Sequence, residues 1–411
     1  MHNGLTLAIE PMNSLRSVST GIWVGTGSRD ERAYERGVSH LLEHMFFKGT
    51  ESHSAVELAK LFDAMGAQVN AFTTKEYTCY YARTLDEDLS RAIDLLTEMF
   101  FYATFPEEEL QREKQVVQEE INMYEDAPDE MVLDEGTASV FGDHPLALDI
   151  LGSHASVSAA TRASLIGYIA RRYHANRMIV AVAGNVTERG LIERLEGLFE
   201  SLPSDPSQEQ DPPPVFVANR RISEKETEQE HLCFTGRGFA ADDDRNYALA
   251  VLNTLLGGSQ SSRLFQTVRE KYGLAYSVYS SASEYRDVGL TQIYLGTSPI
   301  RTQEALEAVR QTLETLLREG PDREELENAK GHLKGTLLLG LESTGSRMSK
   351  LARDLMTQGR VVPISEVQAK IDAVTSDNLM DVYTWMVGAG LGVAAIGPIP
   401  PDQFPQKLEI V

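Results

Sequence analysis

Apolar and polar positions along the chain fall into two regimes. Short segments alternate with period two or run apolar, as in Thr6-Leu-Ala-Ile9, Tyr77-Thr-Cys-Tyr-Tyr81 and Val180-Ala-Val-Ala-Gly184, and these predict strands. Longer segments keep helical spacing and predict helices over 85–103, 106–124 and 302–318. In the last of these Leu306, Val309, Leu313 and the Leu316-Leu317 pair form one stripe. Strands interrupted irregularly by pairs of helices point to an α+β fold rather than a doubly wound parallel sheet. One stretch breaks both patterns. Ser204-Asp-Pro-Ser-Gln-Glu-Gln-Asp-Pro-Pro-Pro214 carries prolines and polar residues with no apolar side chain, and reads as an extended linker.

That stretch lies near mid-chain, and the two flanking halves resemble each other. Val180-Ala-Val-Ala-Gly184 matches Val393-Ala-Ala-Ile-Gly397, with terminal glycines 213 positions apart. Phe105-Pro-Glu-Glu-Glu-Leu110 matches Gly320-Pro-Asp-Arg-Glu-Glu-Leu326, with prolines 215 apart. Gly21-Ile-Trp-Val-Gly25 and Leu232-Cys-Phe-Thr-Gly236 both read as short buried strands. The shared offset predicts two similar domains, 1–203 and 215–411 joined by the linker 204–214. Each is expected to be a mixed, mostly antiparallel sheet packed with helices.

Composition narrows the function. Hydrophobic residues make up 42% and charged residues 24%, values of a chain that buries true cores. The net charge of −23 excludes a general nucleic-acid binder, which needs a basic face, and an electrostatic grip on anionic lipid. It favours cationic partners instead. Cys79 and Cys233, the two cysteines, sit in apolar or aromatic runs and read as buried thiols in a reducing compartment. No run of about 18 apolar residues predicts a membrane span. The start, Met1-His-Asn-Gly-Leu-Thr-Leu, has no signal-peptide pattern, so the expected location is the cytoplasm. Gly25-Thr-Gly27 lacks a third glycine in register and a helix straight after it, which argues against a dinucleotide site.

The informative segment is Gly37-Val-Ser-His40-Leu-Leu-Glu43-His44-Met-Phe-Phe47. With His40 as origin and about 100° per residue, His44 falls at about 40° and Glu43 at about 300°. Val38, Leu41, Leu42 and Met45 fall between about 100° and 200°. One face is a core stripe and the other presents two imidazoles and a carboxylate. Two histidines four residues apart can both reach one zinc ion, and Glu43 is placed to act on a water that the metal activates. Nine histidines in 411 positions give roughly 0.2 chance pairs at any one spacing, and roughly 0.02 once an interior Glu is required. The bland alternative is a pair of surface histidines on an amphipathic helix.

A catalytic zinc wants a third protein ligand and an open position. Glu113 and Glu120 in the predicted helix 106–124 are seven apart and share a face. Val116 and Val117 between them suggest that this face approaches the core, where two carboxylates need a positive partner. Glu119 points about 100° away, toward solvent. Glu107, Glu108 and Glu109 belong to the first turn, where carboxylates suit the helix dipole. Asn70-Ala-Phe-Thr73 reads as a strand whose edge can take an extended peptide, or as an ordinary edge strand. Arg269 and Tyr276, seven residues apart, are what the second half can add to the site, the bland alternative being a surface arginine and a core tyrosine.

His40-Leu-Leu-Glu-His44 is the inverted pattern H-x-x-E-H. With Glu120 lying 76 residues past His44, it resembles the pitrilysin/insulinase zinc metallopeptidases, and within them the short two-domain branch of the mitochondrial processing peptidases and their bacterial relatives. Other landmarks of that resemblance are Gly27-Ser-Arg-Asp-Glu31, Asn70-Ala-Phe-Thr73, Gly257-Gly-Ser-Gln-Ser-Ser-Arg-Leu-Phe265 and Arg269-Glu-Lys-Tyr-Gly-Leu-Ala-Tyr276. The resemblance implies one zinc per chain held by His40, His44 and Glu120, Glu43 as general base, and Glu113 steadying a ligand. Asn70, Ala71, Phe72 and Thr73 would form the substrate-binding strand, and Arg269 and Tyr276 would bind substrate backbone and the developing oxyanion. At an offset of 215 the H-x-x-E-H positions land on Leu255-Leu-Gly-Gly-Ser259, so the second half is expected to lack the metal. The family also implies that the two domains form half of a clamshell. A homodimer with shared active sites would then enclose peptides or unfolded segments in a chamber. The competing expectations are a non-catalytic scaffold subunit and a peptide-binding chaperone.

Overall fold

The computed structural model describes residues 1–205 and 212–411; most of the expected linker, 206–211, lies outside the described residues. Two five-stranded sheets carry the fold. The first contains β1 (Thr6–Pro11), β2 (Ser17–Val24), β3 (Gln68–Thr73), β4 (Thr78–Leu85) and β5 (Met178–Gly184), in the order β1-β5-β2-β4-β3. The second contains β6 (Arg220–Glu224), β7 (Glu230–Arg237), β8 (Ala275–Glu284), β9 (Gly289–Thr297) and β10 (Gly392–Gly397), in the order β6-β10-β7-β9-β8. Strand for strand the orders are the same, so the repeat legible in the sequence is a repeat of topology. Pairing is antiparallel except at β1–β5 and β6–β10, which run parallel. The fold is thus α+β with two similar halves.

The predicted helices form as Leu89–Tyr102, Glu107–Glu125 and Thr302–Glu319. They cover one face of their own sheet. Around the first sheet, Leu41, Leu42, Met45, Leu96, Leu110 and Val117 pack with Ile22, Val24, Val180 and Val182. Each such side chain, once fully buried, contributes about 1.5–3 kcal/mol. No helix among the described residues is long and apolar enough to cross a membrane.

The compact units do not coincide with the sequence halves 1–203 and 215–411. One comprises Met1–Met123, Leu148–Asp211 and Gly340–Val361, and the other Tyr124–Ala147, Pro212–Leu339 and Val362–Val411. Each unit thus takes in one helix from the opposite half. In the first, helix Thr344–Gln358 lays Met348, Leu351 and Ala352 on Trp23, Ile179 and Ala181. In the second, helix Pro128–Phe141 lays Val132 on Cys233, Tyr294, Ala394 and Ile396. Its Gly136 makes that approach close, because a Cβ there would stand 2.6 Å from Cys233 Sγ. The physical reason lies in the central strands. Every residue of β5 and of β10 is buried, so both faces of each sheet need an apolar cover.

Candidate metal centre

The segment carrying the two histidines forms the helix Val38–Met45, between β2 and β3. Its core stripe is as the periodicity predicts: Val38, Leu41, Leu42 and Met45 are all buried, and His40, Glu43 and His44 lie half-buried on the other face. Glu113 and Glu120 come from the helix Glu107–Glu125. Val117 is buried, whereas Val116 is exposed, which corrects the expectation that both lie toward the core. Glu119 is exposed, as its angle predicts.

The two helices bring three donors together. Glu120 Oε2 stands 3.6 Å from His40 Nε2 and 3.6 Å from His44 Nε2, and one ligand atom from each residue lies within 4.8 Å of the others. Ligands of a tetrahedral zinc at 2.0–2.1 Å are separated by about 3.4 Å. The carboxylate stands near that separation from each imidazole, so the set can hold such an ion, and two imidazoles with a carboxylate leave the fourth position open. Among the described residues no other group of three such side chains converges in this way.

Around the three donors the polar contacts are specific. His44 Nδ1 meets Glu113 Oε2 at 3.1 Å, which directs its Nε2 toward Glu120. Glu113, 5% exposed, is held from its other oxygen by Lys48 Nζ at 2.7 Å. Burial raises the Glu113 carboxyl, but the hydrogen bonds from His44 and Lys48 outweigh it and leave the pKa below the usual range. Burial also opposes the charge on His44; its bond to Glu113 and the nearby Glu120 and Glu43 carboxylates nonetheless raise its pKa. His40 differs. Burial, with His44 adding to it, lowers its pKa to about 4, so it is neutral and able to donate a lone pair at physiological pH.

Glu43 does not join the three donors. Its Oε2 accepts a 2.6 Å hydrogen bond from Thr73 Oγ1, at the end of β3. Burial raises the Glu43 carboxyl, and the Thr73 bond and the charge of His44 pull against it. A carboxylate fixed on one oxygen, with a raised pKa, is suited to accept and return a proton.

β3 is one of the two edge strands of its sheet, and the residues of Asn70-Ala-Phe-Thr73 separate by side. Phe72 packs edge-on against Trp23, with ring centroids 5.5 Å apart; Ala71 is buried and Asn70 is exposed. Arg269 and Tyr276 lie in the other compact unit, where they meet each other, with the guanidinium 4.7 Å from the Tyr276 ring centroid and 4.7 Å from that of Phe265. Two irregularities aim them. Arg269 sits in the π-helix Phe265–Lys271, and Tyr276 at the bulge between Ala275 and Ser277, where β8 slips register against β9. Tyr276 is 80% exposed and so is no core residue.

Sequence reasoning missed Lys48 and the role of the Thr73 hydroxyl. The only available signal for Lys48 was its spacing of four from His44; for Thr73 there was none.

Comparison with known proteins decides the family. The sequence model described as "Insulinase (Peptidase family M16)" matches residues 7–154, and that described as "Peptidase M16 inactive domain" matches residues 159–333. The Bacillus subtilis protein named "Uncharacterized zinc protease YmxG" is 44% identical over 398 residues, covering 96% of this chain and 97% of its own length. The chain belongs to peptidase family M16. A relative from Streptomyces coelicolor, named "Uncharacterized zinc protease SCO5738", is 38% identical over 408 residues and covers 97% of this chain and 89% of its own length. Among solved structures, the fold matches a peptidase M16 inactive domain from Pseudomonas fluorescens with a TM-score of 0.90 at 22% identity, covering 98% of both chains. A protease from Helicobacter pylori matches with a TM-score of 0.89 at 23% identity, covering 96% of this chain and 97% of that one. The resemblance drawn from His40, Glu43, His44 and Glu120 pointed to this same family.

Proposed function

We propose that this M16 chain is a zinc-dependent endopeptidase acting on peptides or unfolded protein segments. The observation that carries the reading is the convergence of His40, His44 and Glu120 within 4.8 Å, with Glu43 on the same helix face as the two histidines. In this reading His40 Nε2, His44 Nε2 and Glu120 Oε2 hold one zinc per chain, and Glu113 with Lys48 steadies His44. A bound zinc supplies Lewis-acid activation of water and of the scissile carbonyl. Glu43 accepts the proton of the attacking water and returns it to the leaving amine, while Thr73 holds its other oxygen. The substrate adds to the edge of β3 as an extended strand, so main-chain hydrogen bonds bind it with little demand on sequence. Arg269 and Tyr276 serve as donors to substrate backbone and oxyanion, supplied by a second copy of the chain in a homodimer.

The test is cleavage of quenched fluorescent peptides of about 10–30 residues by wild type and Glu43→Gln, with and without chelator. Chelator-sensitive cleavage that vanishes in Glu43→Gln at unchanged zinc content supports the reading. Equal activity in both removes Glu43 from the chemistry. A zinc-loaded wild type that cleaves nothing across a varied peptide set favours the non-catalytic, peptide-binding reading. Mixing Glu43→Gln with Arg269→Ala chains, each expected to be inactive alone, tests the shared site: recovered cleavage supports it, and no recovery in a verified mixed dimer sinks it.

A further inference from the structure

The stretch Gly27-Ser-Arg-Asp-Glu31 takes no part in the chemistry above, yet its last residue meets the site helix. Helix Val38–Met45 has eight residues, and a helix that short does not sustain itself in water. Its N-cap is Gly37, which has no side chain to accept the free N–H groups of the first turn. No capping side chain fits there, because Gly37 has φ +83 and a Cβ would stand 2.5 Å from the Leu151 carbonyl oxygen. The Glu31 carboxylate takes over. Its Oε2 accepts the Gly37 N–H at 2.8 Å, and its Oε1 accepts the Ser39 N–H at 2.7 Å. From the other side, the Ser39 hydroxyl donates to the hydroxyl of the fully buried Tyr168 at 2.8 Å. His40 is the next residue.

The two histidines are therefore oriented by different means. His44 is steered through its own ring, by Glu113 and Lys48. His40 Nδ1 is buried and has no hydrogen-bond partner among the described residues. Its ring stands edge-on to that of His44, with centroids 4.7 Å apart, and no bond to Nδ1 steers it, so its direction depends on the backbone of the first helical turn, which Glu31 holds.

We propose that Glu31 is a positioning residue of the metal centre, fixing the first turn of helix Val38–Met45 and through it the direction of His40. The proposal rests on the metallopeptidase reading, and its test separates the two. Burial raises the Glu31 carboxyl to about 7, so experiments at pH 8 meet it ionised. Wild type, Glu31→Gln and Glu31→Ala are compared by amide hydrogen exchange over 37–45 in the metal-free protein, by zinc affinity in competition with a chelator, and by melting temperature. Glu31→Gln covers the case in which Glu31→Ala does not fold. The expected result is exchange in the helix faster by about fivefold or more, as for a lost cap, with zinc affinity down about 10–100-fold and the remaining amides unchanged. A folded Glu31→Gln with unchanged helix exchange and unchanged zinc affinity overturns the proposal, as does exchange that rises uniformly through the chain. A wild type that takes up no zinc, while Glu31→Gln still loosens the helix, overturns the metal reading and upholds the cap.

Discussion

The two sheets share one strand order, and the helix pair that brings His40, His44 and Glu120 together has a counterpart in the second unit. There Asn246–Leu256 follows β7 as Val38–Met45 follows β2, and Arg323–Gly340 corresponds to Glu107–Glu125. At the equivalent place the second unit has a polar cavity of about 230 Å³, lined by Ser259, Ser262, Asp322, Asn328 and His332 among others. Where the first unit has His44 and Glu113, the offset of 215 finds Ser259 and Asn328. Helix Asn246–Leu256 has a buried stripe of its own, with Leu249, Leu252, Leu255 and Leu256 in the core. At that offset His40 and Leu41 fall on Leu255 and Leu256, the last two residues of the helix, and Glu43 and His44 fall on Gly258 and Ser259 beyond its end, so the second unit keeps the apolar packing without a helical face for a metal set. The apolar packing is what the fold needs, and the metal set can be carried or lost without changing it.

That independence sets the expected effects. The largest is at the proposed ligands: Glu120→Gln should abolish tight zinc binding and peptide cleavage, while Ser259→Ala with Asn328→Ala leaves both unchanged. Metal analysis and kcat/KM on the two proteins check this, and a loss of zinc from the second would break the comparison. Next is Lys48→Met, which removes the cation from Glu113 and so loosens His44. Zinc affinity should fall about tenfold with the melting temperature little changed, measured by chelator competition. Thr73→Val removes the donor to Glu43. The donor favours the ionised carboxylate, so its loss should raise the Glu43 pKa further; the acid limb of the pH profile of kcat/KM moves to higher pH, and kcat falls by about tenfold.

The smallest effect lies in the second unit, away from any chemistry. Glu230 is fully buried, accepts one hydrogen bond from Ile399 N–H at 3.1 Å, and has Oε1 without a partner among the described residues. Burial raises its pKa from 4.5 to about 7. The folded chain holds that proton more tightly than the unfolded one, so this stabilising contribution is whole below pH 4.5 and is lost as pH rises through about 7. Melting curves should show wild type losing ground to Glu230→Gln between pH 5 and pH 8. Parallel curves for the two would mean that Glu230 is not the titrating group.

Much of the centre could be read along the chain. The i, i+4 pair His40 and His44, its apolar stripe, and the seven-residue step from Glu113 to Glu120 are all properties of a helix, whose geometry is the same in every fold. The position of Val116 was misread because spacing tells which residues share a face, while the width of that face's contact depends on the neighbours. The sequence halves suggested two contiguous domains, yet helices Pro128–Phe141 and Thr344–Gln358 each cover the sheet of the opposite half. The runs of β5 and β10 were legible as strands and as a repeat; that both faces of each sheet are covered, and by which helix, shows only in the burial of every one of their residues.

Sequence by itself determined the elements, the repeat and the polar face that carries His40, Glu43 and His44, because period and spacing are local properties of a chain. Tertiary structure decided what those residues touch. The bonds from Thr73 to Glu43 and from Lys48 to Glu113 join residues 30 and 65 positions apart, and Arg269 and Tyr276 meet from a π-helix and a bulge. Such contacts depend on strand register and on how two helices pack, and each is set by the burial of many side chains at once rather than by the residues that make the contact.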